Sequence, residues 1–542
     1  MIDPDVARLV RGVLWPGFLG RTAPDWLLRE LDGGLAGVVY FGQNLSSDPA
    51  EVAALSAELR VHRPEVLIGV DEEGGNVSRL EAQTGSTLPG HAQLGALDDV
   101  ETTRAVGSVL AERLHAAGAN VALAPVADVN TNPANPVIGV RSFGPTADLV
   151  SRHVAAMVDG LQTGGVAACV KHYPGHGDTA SDSHLDLPRI NLDLAELEAE
   201  HLPPFDAAIA AGVASVMTAH IVVPAFGDAP ATLNPIPLRR LRESGFDGVI
   251  ISDALDMAAI RSTTGSGRGA VLALQAGVDL LCIGNPSNLG PKQGATTDED
   301  DYLEVFEAVC AAVADGELDR TIVERAAARV AWLARSVSPS TGSGNGESVP
   351  EESPVPERST LPEVVEGPFS DAIRRVVRVR GEVAIDVSAI TLVDLRDRPT
   401  FAVASAHDPF AESLAERFAV ARLAAGPSLR TPDPHAEAPA SDELALLLET
   451  IPADDGVVLL ADRLGGDTPQ RLAVDRVAVV RPDAVVVSVG LPLSEDAVLP
   501  LPVIDTLAAS RASADRVTEL LSAASAAAPT HHLHNQHHRN GS

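Results

Sequence analysis

Ionisable side chains follow several short apolar segments of this chain, at the points where those segments end. They are Asp71, Arg141, Lys171, His172, His220 and Asp253. Carboxylates can act as nucleophiles, imidazoles can transfer protons near neutral pH, and cationic groups can hold oxygen atoms. For any single residue, a helix cap or a rim salt bridge is an equally good explanation. For the whole set, charge placed beside buried segments is costly without a function, which indicates one polar cavity.

A second group with chemical potential is the segment Asp182-Ser183-His184, which follows the apolar run that precedes Lys171. Residues two apart in an extended or turning loop lie within reach of each other. A carboxylate beside a histidine raises the basicity of the ring and fixes its tautomer, as a general acid or base requires. A surface loop with incidental charges has the same pattern, so both interpretations stay open at this point.

The elements that position these residues are eight apolar, strand-like segments, most of them followed by an amphipathic helical pattern. They lie at 12–18, 37–41, 66–71, 121–127, 167–173, 215–220, 248–253 and 278–283. Strands alternating with helices predict a parallel sheet, and eight over about 320 residues favour a closed (β/α)8 barrel. An open, doubly wound sheet is the competing arrangement. In a barrel, the strand ends that carry the ionisable residues share one rim.

The rest of the chain indicates a second domain. Residues 336–362 are rich in Ser, Pro, Gly and Glu, which is typical of a linker, so the barrel is assigned to residues 1–335. Strand-like runs at 392–395, 401–405, 457–461 and 484–489, with helical stretches such as 409–419 and 505–523, follow the linker. They predict a smaller three-layer α/β domain over 363–525. The His-rich residues 526–542 are expected to be a disordered tail.

Composition excludes several classes of protein. The formal charge of −34 argues against a nucleic-acid partner, because phosphate binding needs a basic surface. The three cysteines have no metal-ligand spacing and are too few for a disulfide framework. No apolar stretch approaches the roughly 20 residues that span a bilayer, and no signal-peptide pattern is visible. We therefore expect a cytoplasmic protein with no metal and no cofactor.

Five blocks of the sequence resemble glycoside hydrolase family 3, and its β-N-acetylglucosaminidase branch in particular. They are DEEGGNVSRL at 71–80, VIGVRSFG at 137–144, KHYPGHGDTASDSHLDLP at 171–188, VMTAHIVVPAFGDAPATLN at 216–234 and GFDGVIISDALDM at 245–257. They occur in the order expected for the family. The resemblance implies a retaining exo-β-N-acetylglucosaminidase that forms a covalent glycosyl-enzyme intermediate.

The same resemblance implies roles for individual residues. Asp253 would be the nucleophile, and His184 would be the general acid/base with Asp182 as its partner. The residues expected to hold the sugar hydroxyl groups are Asp71, Arg79, Arg141, Lys171 and His172. Position 76 departs from the family pattern, since it is Asn where Arg is usual. We expect that change to affect loop packing or affinity before chemistry, because Arg79 is present.

Three alternatives remain at this stage. The first is a phosphorylase that uses the same residues, because a neutral histidine tolerates a phosphate acceptor as well as water. The second is a β-glucosidase, which is disfavoured because those enzymes typically take their acid/base from elsewhere. The third is a non-catalytic sugar-binding protein, which is disfavoured because the nucleophile and the Asp-x-His loop are both present. The family and the expected cytoplasmic location imply a role in cell-wall recycling, in which N-acetylglucosamine is released from muropeptide-derived disaccharides; glycoprotein and chitin fragments are the alternative substrates.

Overall fold

The computed structural model describes residues 2–527 except 180–186, 290–297, 339–368, 384, 386, 397–407, 425–443, 445–446, 467 and 495. The described residues form two compact units, one ending at Val376 and the other beginning at Val377. Several predictions lie outside them, namely Asp182, His184, the run 401–405, linker residues 339–362 and tail residues 528–542. The proposed domain boundaries remain predictions.

The strands of the first unit are numbered in chain order. They are β1 Leu14–Pro16, β2 Gly37–Tyr40, β3 Leu67–Val70, β4 Glu72–Gly74, β5 Val77–Ser78, β6 Val121–Ala122, β7 Ala167–Tyr173, β8 Ser215–Thr218, β9 Val249–Ile251 and β10 Leu281–Gly284. A parallel sheet runs in the order β2-β3-β6-β7-β8-β9, and β1 pairs with β10. A parallel bridge between Ile251 and Leu280 joins β9 to β10, and the Ala36 N–H donates to the Arg11 carbonyl beside β1 and β2.

Each of the eight predicted barrel segments contains one of these parallel strands, so the predicted barrel is confirmed. The hairpin β4–β5 is an addition that follows β3. Strand β6 ends at Ala122, whereas the prediction extended to residue 127. The physical reason is Pro125, which has no N–H to donate to a neighbouring strand.

Helices surround the barrel and cover its outer face. They are Pro4–Arg11, Asp25–Asp32, Pro49–His62, His91–Leu97, Val100–Ala116, Ala147–Thr163, Leu194–Glu200, Pro203–Ala210, Pro235–Glu243, Ala258–Arg261, Ser266–Ala276, Asp298–Ala314, Arg320–Ser336 and Ser370–Val376. Side chains alternate along each barrel strand. One set packs outward against these helices, and the other set, which includes Trp15, Leu67 and Cys169, packs inside the barrel. The barrel interior is therefore filled with side chains, and a cavity can form only above it.

The second unit is a parallel sheet with one antiparallel edge strand and apolar clusters on both faces. Its strands are β11 Arg378–Arg380, β12 Ala389–Asp394, β13 Ala419–Ala424, β14 Gly456–Ala461, β15 Val485–Ser488 and β16 Val503–Asp505, in the order β11-β16-β15-β14-β12-β13. Helices Pro409–Ala415, Pro469–Val480 and Arg511–Ala527 accompany them. The predicted three-layer α/β arrangement is confirmed.

Two helix predictions in this unit had the wrong bounds. The helix expected over 409–419 ends at Ala415, and Ala419 begins β13. The helix expected over 505–523 begins at Arg511, after β16, and ends at Ala527, so it includes the first two residues of the predicted tail. Strand β13 is an edge strand with mostly exposed side chains, so its Ala-rich sequence lacks the apolar alternation that identifies a buried strand.

Candidate active site

A cavity of about 340 Å³ opens where the barrel strands end. Six of the eight predicted site residues line it, namely Asp71, Arg79, Arg141, Lys171, His172 and Asp253. The other two, Asp182 and His184, lie outside the described residues. Side chains that sequence reasoning had not assigned to the site also line it, among them Phe41, Gln43, Glu73, His176, Met217, Met257 and Asn285.

A buried ion network forms one wall of the cavity. The Lys171 ammonium donates to Asp71 Oδ1 and Glu73 Oε1, both at 2.7 Å. The Arg141 guanidinium donates two hydrogen bonds, of 2.7 and 3.0 Å, to the Glu73 carboxylate. Two cations thus balance two carboxylates, an arrangement that offsets the cost of burying charge.

The same contacts keep these groups ionised. Burial by itself would raise the pKa of Asp71, but the charges of Lys171 and Arg79 outweigh it and lower that pKa. Burial would lower the pKa of Lys171, and the carboxylates of Asp71 and Glu73 raise it instead. The wall therefore presents fixed charges and strong hydrogen-bonding groups, which suit the hydroxyl groups of a sugar.

Glu73 is the principal site residue that sequence reasoning missed. Its side chain is 1% exposed and its partner Arg141 lies 68 residues further along the chain. In the sequence it is the second of two adjacent glutamates, and nothing local distinguishes their roles. Its proximity to Lys171 and Arg141 arises only when the segments that follow β3 and β6 meet the end of β7.

His172 is oriented by a second buried carboxylate, that of Asp128. The His172 Nδ1 lies 2.7 Å from Asp128 Oδ2, and Asp128 Oδ1 accepts the backbone N–H groups of His172 and His176. Burial would raise the pKa of Asp128, but the nearby imidazoles, His172 first, lower it. With Nδ1–H donated to Asp128, the Nε2 atom of His172 is the ring nitrogen left to meet a ligand. Asp128 was also missed.

Asp253 follows β9 and is held in place by hydrogen bonds to its N–H group and to its carboxylate. Its N–H donates to the Thr218 hydroxyl at 3.3 Å, and its Oδ1 accepts the Ala254 N–H at 2.8 Å. His220 supports the same turn, because its Nε2 lies 2.9 Å from the Ala254 carbonyl and its Nδ1 lies 2.9 Å from the Thr232 hydroxyl. His220 is thus a buried, hydrogen-bonded core histidine beneath the site. A carboxylate fixed in this way at a strand end is well placed to attack a bound substrate.

The hairpin β4–β5 turns through Gly74 and Gly75, whose φ angles are +80° and +57°. A Cβ atom on Gly75 would lie 2.5 Å from the Gly90 Cα, so no larger residue fits. Glu72 fastens the return strand by accepting hydrogen bonds from the Ser78 hydroxyl and from the backbone N–H groups of Arg79 and Leu80. The hairpin thereby carries Arg79 to the cavity.

Glu72→Gln tests how this hairpin depends on pH. Burial raises the pKa of Glu72 to about 7 from its ordinary 4.5, against the hydrogen bonds, which lower it. Between pH 4.5 and about 7, the Glu72 carboxyl group therefore stays protonated in the folded state but is ionised in the unfolded state. Its contribution to the stability of the fold is fully present below pH 4.5 and is lost as the pH rises through about 7. Glutamine mimics the protonated acid. We expect the apparent Tm of the variant, relative to wild type, to be higher at pH 7.5 than at pH 5. A relative Tm that does not change between these pH values would contradict this role.

Within the described ranges, no group of three or more His, Cys, Asp or Glu side chains is arranged to hold a metal ion. None of the described helices has the length and apolar character needed to cross a membrane. Asn76 is partly exposed and is not among the described residues that line the cavity.

Comparison with known proteins identifies the family. A model of the glycosyl hydrolase family 3 N-terminal domain matches residues 22–333. The β-hexosaminidase of Neisseria meningitidis serogroup C (strain 053442) is 39% identical over 272 residues, which are 48% of this chain and 74% of that protein.

Solved structures support the same relationship. A glycoside hydrolase family 3 β-N-acetylglucosaminidase from Paenibacillus sp. str. FPU-7 superposes with a TM-score of 0.78 at 30% identity, covering 96% of each chain. A β-N-acetylhexosaminidase from Beutenbergia cavernae DSM 12333 has a TM-score of 0.54 at 28% identity and covers 62% of this chain and 100% of its own. The chain therefore belongs to glycosyl hydrolase family 3 and is a glycoside hydrolase.

Proposed function

We propose that this enzyme is a retaining exo-β-N-acetylglucosaminidase that removes terminal β-linked N-acetylglucosamine. The observation that carries the proposal is the Asp253 carboxylate, fixed at a strand end in the same cavity as the Asp71–Lys171–Glu73–Arg141 network. The names of the relatives, β-hexosaminidase and β-N-acetylglucosaminidase, favour this substrate class. In this proposal, Asp71, Arg79, Arg141, Lys171 and His172 hold the hydroxyl groups of the terminal sugar.

The proposed reaction has two steps. An Asp253 oxygen attacks the anomeric carbon, the glycosidic C–O bond breaks, and the leaving oxygen takes a proton from His184. Water then attacks the same carbon and gives a proton to His184, while the bond to Asp253 breaks and frees the carboxylate. Asp182 would support the imidazole through both steps. The configuration at the anomeric carbon is retained because it inverts twice.

We predict that water is the acceptor and that phosphate is not. Lys171 and Arg141 are already paired with Asp71 and Glu73, so neither of these two cations offers a phosphate dianion an uncompensated positive charge. An aryl N-acetyl-β-glucosaminide should release free N-acetylglucosamine, and its rate should change little when millimolar phosphate is added. N-acetylglucosamine 1-phosphate as the main product, formed faster than the free sugar, would contradict hydrolysis and leave the residue roles unchanged.

The substrate assay also tests the activity itself. The corresponding aryl β-glucoside is the control, because it differs only in carrying a hydroxyl group in place of the acetamido group, and we expect it to be cleaved far more slowly. Equal cleavage of both would favour the β-glucosidase alternative. A role in cell-wall muropeptide recycling and a cytoplasmic location remain our predictions, and cell fractionation tests the location.

A further inference from the structure

Two amide side chains that line the cavity lie side by side, on the segments that follow β2 and β10. Gln43 and Asn285 both line the cavity and are partly exposed. Their amides are hydrogen-bonded to each other at 2.8 Å, although they lie 242 residues apart. The loop after β10 is held in place by Asp256, whose carboxylate accepts the Asn285 N–H at 3.3 Å.

The hydrogen bonds fix which way each amide points. One Gln43 terminal atom contacts the Phe18 carbonyl and Asn285 Oδ1, both acceptors, so it must be the nitrogen. The Asn285 atom that accepts from Gln43 also accepts the backbone N–H of Ser287 at 3.1 Å and its hydroxyl at 2.8 Å, so it must be the oxygen. Neither amide can be flipped without placing like groups against each other.

This orientation leaves one acceptor and one donor. Gln43 Oε1 and Asn285 Nδ2 have no hydrogen-bond partner among the described residues. An adjacent acceptor and donor match the hydroxyl groups of a sugar, since each hydroxyl both donates and accepts. Both amides are uncharged, which suits a neutral ligand.

We propose that Gln43 and Asn285 form a subsite for the leaving-group sugar, the unit on the far side of the bond that is cleaved. This inference rests on the proposed function. The proposed terminal-sugar residues include deeply buried groups such as Lys171, with a 2% exposed side chain, whereas Gln43 and Asn285 are partly exposed. In an enzyme that removes terminal sugars, the remainder of the substrate extends toward solvent, so we assign the more exposed amide pair to that part.

The test compares two substrates that differ only in the leaving group. The leaving group of N,N′-diacetylchitobiose is a sugar with several further hydroxyl groups, whereas the leaving group of p-nitrophenyl N-acetyl-β-glucosaminide is p-nitrophenol, whose one hydroxyl group contains the former glycosidic oxygen. Gln43→Met removes the unpaired acceptor together with the amide donor, and Asn285→Asp keeps the oxygen that accepts from Gln43 and Ser287 but replaces the unpaired donor. We expect each variant to lower the ratio of kcat/KM for the disaccharide to that for the aryl substrate by about tenfold.

Gln275→Met is the matched control, because Gln275 is exposed and its amide donates to the Glu317 carbonyl away from the cavity. Its substrate ratio should equal that of wild type. A ratio unchanged in both Gln43→Met and Asn285→Asp, or an equal loss on both substrates, would overturn the subsite. Wild-type enzyme that cleaves neither substrate would instead contradict the proposed function, and the subsite with it.

Discussion

Asp253→Ala is expected to lower kcat for an aryl N-acetyl-β-glucosaminide by roughly 10⁴-fold or more, because removing a nucleophile removes the covalent step itself. The fold should persist, since the Asp253 carboxylate lies partly exposed in the cavity and contributes little to core packing. Steady-state kinetics on the purified variant, with thermal unfolding as a check on folding, measure both effects. Azide or formate should restore part of the rate by attacking in place of the carboxylate.

The matched control is Asp247→Ala. Asp247 is exposed and precedes β9, whereas Asp253 follows the same strand, so the two carboxylates lie near opposite ends of it. We expect the control to keep wild-type kcat. Near-normal turnover by pure Asp253→Ala would show that another group attacks the anomeric carbon, and the proposed mechanism would be wrong.

His184→Ala is expected to have the second largest effect, and its size should depend on the leaving group. A sugar alcohol leaves poorly and needs a proton, so the loss on a disaccharide should reach roughly 10²- to 10⁴-fold, the usual contribution of general acid catalysis. An activated aryl leaving group departs with almost no protonation, so cleavage of its glycosidic bond should be slowed much less. The measurement is the slope of log(kcat/KM) against the pKa of the leaving group over a series of aryl N-acetyl-β-glucosaminides.

Asp182→Asn is the companion variant. If Asp182 supports the imidazole, its loss should steepen the same slope to a smaller extent. Losses that are equal across the whole series in both variants would indicate impaired binding or folding, and would remove the acid/base role from His184. A substituted Ser183, between the two residues, should leave the slope unchanged.

Much of the catalytic unit follows from local sequence patterns. Each of the eight barrel strands appears as a short apolar run, because both faces of a parallel barrel strand are buried. Parallel strands direct their C-terminal ends to one rim, so residues that follow them, such as Asp71 and Asp253, must lie close together. Five of the proposed site residues, Asp71, Arg141, Lys171, His172 and Asp253, could be placed in one cavity on that argument, whereas Arg79 was assigned through the family resemblance.

The limits of local patterns are clearest in the second unit. Strands β11 and β13 lie at the two edges of the sheet that the described residues form, and most of their side chains are exposed. The sequence RVR of β11 has one apolar residue, and three of the six residues of β13, AVARLA, are small alanines, so neither has the run of large apolar residues of a central strand. Strand β13 also follows a helical segment closely enough to look like its continuation. Burial, which creates the pattern, is weakest at an edge.

The sequence by itself determined the eight barrel strands and the residues that follow them, because these depend on the pattern of apolar residues within each element, and the number of strands favoured a closed barrel over an open sheet. Only the tertiary structure decided which of those residues support one another. Glu73 with Arg141, Asp128 with His172, and Gln43 with Asn285 are pairs separated by 68, 44 and 242 residues. Their contacts depend on loop paths and side-chain directions after the barrel closes, and no local spacing records that geometry.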